Sequence, residues 1–295
     1  MVGGRDRLRF LHAVTTQDVA KLAPGAGVHG AMTDDRGRPV SDFLLYVLPE
    51  AILLEAPAGA ADALRAALER LVVADDVTLA WAQGDAVVRE DLAPGGAGKL
   101  AVEWGAGTDP AVDQDLSDEL TLALVPARRR AVLHASRFGG AGTLSWGGEA
   151  GAGGLPEEDL DALEIAAFRP GPAEFTAARV WNELDLMETV SFTKGCFTGQ
   201  EILNRVQTRG QLQRRLVALL LEAGAWPRGA WTGAVLETGN GEPVGEIVRA
   251  AGDRAFAFVA RDAWESGTHL VARQSGAPSV TCGAIVQPRS TSEVP

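Results

Sequence analysis

The chain has 295 residues, enough for two or three domains, and its 46% apolar and 22% charged content is that of a globular protein with a core to bury. A formal net charge of −12 sets it against phosphate backbones and anionic membranes, so neither nucleic acid nor a membrane is expected as a direct partner. Two cysteines, Cys196 and Cys282, are too few for a disulfide scaffold or a four-cysteine metal centre, and the four histidines show no metal-ligand spacing, so no metal site is expected.

The opening MVGGRDRLRFL carries charges where a secretory signal needs an apolar core, and no run approaches the roughly 18 apolar residues of a membrane span. The cytoplasm is therefore the expected compartment. From Asp6 to Val19 apolar residues recur at helical spacing, and Pro24-Gly25 punctuates a turn. His29 to Thr33 reads as a short strand, and Asp34 to Gly37 as a hairpin-type turn. Asp42 to Leu48 and Ala51 to Glu55 follow as strands, the first almost wholly apolar and so central. Ala60 to Leu71 is an amphipathic helix with Leu64, Leu68 and Leu71 on one stripe.

Short strands are predicted at Thr78 to Trp81 and Leu120 to Val125. Gly139 to Gly154 is so rich in glycine that it reads as a loop or linker. Leu155 to Phe168 is helical, with Pro156 in its first turn and Glu157, Glu158 and Asp159 at the positive end of its dipole. From about Arg215 onward, short strands alternate with glycine turns, among them Gly239-Asn240-Gly241, which predicts a small antiparallel barrel. The basic runs Arg128 to Arg130 and Arg205, Arg209, Arg214 and Arg215 read as solvated faces.

Chemistry concentrates in Thr193 to Arg205, TKGCFTGQEILNR. Thr198-Gly199-Gln200-Glu201 has the spacing of a capping box, so a helix should begin there with Ile202, Leu203 and Val206 on its buried side. Cys196 then lies just ahead of a helix N-terminus and two residues from Lys194, and both features predict a depressed thiol pKa. Gly195 and Gly199 allow a sharp turn or the close approach of a ligand.

KGCFTGQE resembles the signature KGC-[Tyr/Phe]-x-GQE of the YgfZ folate-binding proteins. The opening block from Arg5 to Val47 and the step GQLQRRL at Gly210 to Leu216 are similar to that family as well. The resemblance implies an α+β, aminomethyltransferase-like fold: a three-part ring around a folate cavity. In this chain the parts would be residues 1–75 (an α/β part), 76–214 (a second α/β part with the signature) and 215–295 (the antiparallel barrel). It implies a folate-binding accessory protein for iron–sulfur cluster assembly or repair, and so indirectly for tRNA modification. Its partners would be folate and iron–sulfur client or carrier proteins. The alternative is a tetrahydrofolate-dependent aminomethyl or one-carbon transferase, since the related glycine-cleavage enzymes share the fold.

The implied catalytic groups are Cys196 and Asp42. The implied contacts to tetrahydrofolate are Lys194, Gly195, Gly199, Gln200, Glu201, Arg205 and Glu164. Two positions depart from the pattern. Ser41-Asp42 stands where the transferases have paired aspartates, and Ala166 stands where relatives often have a glutamate that binds the pterin. Glu164, two positions away on a helix, points about 200° from position 166.

Overall fold

The computed structural model describes residues 1–81, 88–92, 102–104, 129–133, 142–146, 156–222, 229–274 and 277–289. The first part is a five-stranded sheet covered by two helices. Its strands are β1 (Val2–Gly3), β2 (Gly27–Thr33), β3 (Pro39–Val47), β4 (Ile52–Glu55) and β5 (Thr78–Leu79), in the order β2-β3-β4-β1-β5. Helix α1 (Arg7–Val14) stops short of the predicted Val19. Thr15 turns extended and its hydroxyl donates to the Leu11 carbonyl, as the β-branched run Val14-Thr15-Thr16 favours. Helix α2 (Ala61–Leu71) buries Leu64 and Leu68, as its stripe predicts.

Strand β3 is buried on both faces from Ser41 to Val47. Phe43, Leu45 and Val47 pack with Phe10, Leu11, Leu64 and Leu68 into the first core. The turn into β3 works as the sequence suggests: Asp34 Oδ1 accepts from the Arg36 and Arg38 amides, and Gly37 takes φ 71°.

The second sheet comprises β6 (Val88–Leu92), β7 (Val102–Trp104), β8 (Arg129–Leu133) and β9 (Gly142–Trp146), antiparallel in the order β6-β9-β8-β7. Strand β9 corrects the reading of Gly139 to Gly154 as a loop. Thr143-Leu144-Ser145-Trp146 is a run of strand-forming residues inside the glycine-rich stretch, and it pairs with both β6 and β8. The strand predicted at Leu120 to Val125 lies outside the described residues.

Helix α3 (Glu157–Ala166) and helix α4 (Gln200–Arg209) flank a segment of short turns. The barrel is closed: β10 (Arg214–Leu221), β13 (Arg254–Ala260), β12 (Pro243–Ala251), β11 (Val235–Glu237), β14 (His269–Gln274) and β15 (Ala277–Val286), each antiparallel to its neighbours. Gly241, at φ 82°, closes the predicted hairpin between β11 and β12. A bulge between Ile247 and Arg249 lets Ile247 point into the barrel while Arg249 points out towards α3.

A second core joins the parts. Ala31, on the sheet face opposite the first core, packs with Ile165, Phe168, Trp181, Phe197, Leu203, Leu216 and Phe256. This shared core holds the signature segment between the first sheet and the barrel.

Candidate functional site

The signature segment is fastened to the first sheet through backbone groups. Trp181 N–H donates to the Gly37 carbonyl at 2.8 Å, and Ser191 N–H to Thr16 at 2.9 Å. Thr16 Oγ1 donates to the Thr189 carbonyl at 2.6 Å, and Thr33 Oγ1 donates to the Thr198 carbonyl at 2.7 Å.

Helix α4 begins where KGCFTGQE predicts, but not by the predicted means. Its N-cap is Gly199 at φ 83°, and no side chain caps it. A Cβ on Gly199 would stand 2.5 Å from the Asp34 carbonyl oxygen and 2.6 Å from Thr33 Oγ1. The close approach of the Asp34–Gly37 turn therefore sets the start of the helix, and Thr198 gives its carbonyl to Thr33 instead of its hydroxyl to the helix. Gly195 is different: nothing lies within 4 Å of a Cβ built there.

Lys194 is buried, and its Nζ donates to the carbonyls of His12, Thr15 and Gln17, the last two at 2.5 and 3.0 Å. Burial pushes its pKa down to about 8, with Asp18 opposing. The ammonium is thus committed to the end of α1 and the turn after it. These bonds run to backbone carbonyls and not to Cys196. Cys196 is exposed, whereas Cys282 faces the barrel core and burial raises its pKa.

The remaining residues are dispersed. Gln200 is half-buried, and Glu201 and Arg205 are exposed on α4. Glu164 is drawn to the barrel: Arg249 reaches Glu164 at 2.5 Å, Asp161 at 3.2 Å and buried Glu174 at 3.1 Å. Ala166 is exposed. Ser41 donates its hydroxyl to the backbone carbonyl of Asp42 at 2.6 Å.

Asp42 is buried, 1% exposed, and its Oδ2 lies 2.9 Å from Nε2 of His29, itself 3% exposed. Nδ1 of His29 lies 3.5 Å from Nη1 of buried Arg169. Burial lowers the His29 pKa, against the pull of Asp42. Sequence reasoning missed both partners. For His29 a signal existed: a hairpin turning at Asp34–Gly37 sets Ala31 opposite Asp42, and so His29 diagonal to it on the same face. Nothing in the sequence pattern places Arg169 there.

No family model matches the chain. A glycine-cleavage-system aminomethyltransferase T from Bartonella henselae superposes with a TM-score of 0.64 at 18% identity, covering 97% of this chain and 81% of its own. The iron–sulfur cluster assembly factor IBA57 homolog, mitochondrial, of Phaeosphaeria nodorum is 27% identical over 243 residues, 76% of this chain and 53% of that protein. The tRNA-modifying protein YgfZ of Yersinia enterocolitica is 28% identical over 254 residues, 81% of this chain and 72% of that protein. The chain is thus similar to YgfZ-type proteins and, in fold, to the aminomethyltransferases. The superposition establishes the aminomethyltransferase-like fold expected from KGCFTGQE. The chain spans about half the length of the first curated relatives it matches. Among the described residues no helix is long and apolar enough to cross a membrane, and no group of three or more His, Cys, Asp or Glu is placed to hold a metal ion.

Proposed function

We propose that this YgfZ-type chain is a folate-binding accessory protein acting in iron–sulfur cluster assembly or repair, and through it in tRNA modification, with the cytoplasm as its compartment. One observation carries the reading: the only exposed cysteine among the described residues sits on a loop tied down on both sides, by Lys194 before it and Gly199 after it. A thiol held out on a fixed loop suits contact with a client or carrier protein. The names of the IBA57 and YgfZ relatives support the cluster-assembly setting. The transferase reading is weaker, because Ser41 takes the place of one of the paired aspartates and spends its hydroxyl on backbone.

Tetrahydrofolate fits the residues in part. Exposed Arg205 offers a cation for the carboxylates of the tail, and Asp42, the carboxylate that the resemblance assigns to folate, is buried against His29. Glu164 and Lys194 are engaged elsewhere. When bound, the folate would supply a reduced pterin with one-carbon-carrying nitrogens. The chain's own part is to bind it and present the thiol.

The test is complementation in cells lacking this protein. Cys196→Ser should fail to restore the activity of iron–sulfur enzymes while the purified variant still binds tetrahydrofolate. Full restoration by Cys196→Ser would remove the thiol from the account.

A further inference from the structure

The buried trio of Asp42, His29 and Arg169 has no part in thiol presentation, yet three separate elements converge to build it. His29 comes from β2, Asp42 from β3 and Arg169 from the turn after α3. That turn is unusual. Phe168 adopts φ 52°, a conformation that side chains rarely take, and is held by edge-on packing against Phe256 with ring centroids 5.3 Å apart. The Arg169 amide closes the helix end on the Glu164 carbonyl at 2.7 Å, while its own carbonyl accepts from Arg249 of the barrel at 3.2 Å. Arg169 is therefore aimed at the sheet by a strained turn and steadied from the barrel.

A guanidinium has only donors, so Nδ1 of His29, 3.5 Å from Nη1 of Arg169, is suited to carry the lone pair. The ring proton then sits on Nε2 and is donated to Asp42. Burial and the Arg169 charge both oppose a second proton on the ring; Asp42 and, at longer range, Glu188 oppose its loss. A carboxyl 1% exposed tends to take up a proton unless a donor stabilises its ionised form. The Nε2–H of a neutral imidazole supplies that donor without cancelling the negative charge.

We propose that His29 and Arg169 are positioning residues for Asp42. Arg169 fixes the tautomer of a neutral imidazole, and His29 donates to Asp42 and holds it in one orientation for its folate contact. The ligand in this statement rests on the folate reading; the geometry of the trio does not.

Nuclear magnetic resonance and a binding titration on the full chain test both halves. In the wild type, nitrogen-15 shifts of His29 should show the Nε2–H tautomer, with its titration displaced below the ordinary 6.5. In a binding titration, His29→Leu should weaken tetrahydrofolate binding about tenfold near neutral pH. His29→Gln, which keeps an N–H donor, should recover most of it. An Nδ1–H tautomer in the wild type, or tetrahydrofolate binding unchanged in a folded His29→Leu, overturns the proposal. If His29→Leu fails to fold, the wild-type tautomer decides alone. If the wild type binds no tetrahydrofolate, the folate reading falls while the tautomer still decides the positioning claim.

Discussion

Replacing Lys194 by Met keeps the aliphatic stem and removes the ammonium. Three bonds from a charged donor to backbone carbonyls contribute about 1.5–3 kcal/mol each. Against them stands the cost of burying the charge. A pKa brought from 10.5 to about 8 corresponds to about 3 kcal/mol. The difference leaves a loss of about 1.5–6 kcal/mol for Lys194→Met, which denaturant unfolding followed by tryptophan fluorescence resolves. The sign of the pH dependence provides a second readout. The folded state releases this proton at about 8 and the unfolded chain at 10.5, so between those values the unfolded state binds more protons and stability rises with pH. That rise should be missing in the variant. The rate of Cys196 alkylation at fixed pH should not fall, since the ammonium serves the carbonyls. An unchanged unfolding midpoint, or a slowed thiol in a fully stable variant, would refute this assignment of Lys194.

His29, with its pKa lowered by burial, refuses a proton that the unfolded chain accepts below 6.5, so the pair should lose stability as pH falls below that value. His29→Gln should flatten the slope in that window in a pH series of thermal melts. At the start of α4, Gly199→Ala forces a Cβ against the Asp34 carbonyl at positive φ and should cost about 2 kcal/mol or more, whereas Gly195→Ala and Thr198→Ala should stay within about 0.5 kcal/mol. A cost of about 1 kcal/mol for Thr198→Ala would restore the capping box that the geometry displaces.

The fold was largely legible because its signals are local. The alternation and turns after Arg214 specify the barrel, and the stripe Leu64-Leu68 specifies α2. Glycine content hid β9, since a count over sixteen residues dilutes Thr143 to Trp146. The site was legible only in outline. KGCFTGQE located the exposed thiol and the start of α4, but the partners of its residues come from residues 12–17 and 33–37, more than 150 positions away in sequence. A capping box and a Lys–Cys pair are what nearest-neighbour chemistry predicts. Long-range partners won in both cases, distant backbone carbonyls for Lys194 and the Thr33 hydroxyl for Thr198, because buried carbonyls and a crowded turn cost more to leave unsatisfied than a cap contributes. Glu164 pairs with Arg249 for a similar reason: a bulge in β12 aims a half-buried guanidinium at it, and no local pattern announces that bulge.

The central claim is that this chain receives tetrahydrofolate, and calorimetric titration of the wild-type protein tests it most directly. Saturable binding, with a dissociation constant well below about 1 mM, is the expected result. Ala166→Glu should bind more tightly by about tenfold, since it restores a carboxylate acceptor worth about 1.5–3 kcal/mol. No saturable heat from either protein at about 1 mM ligand, with both shown to be folded, would contradict the account.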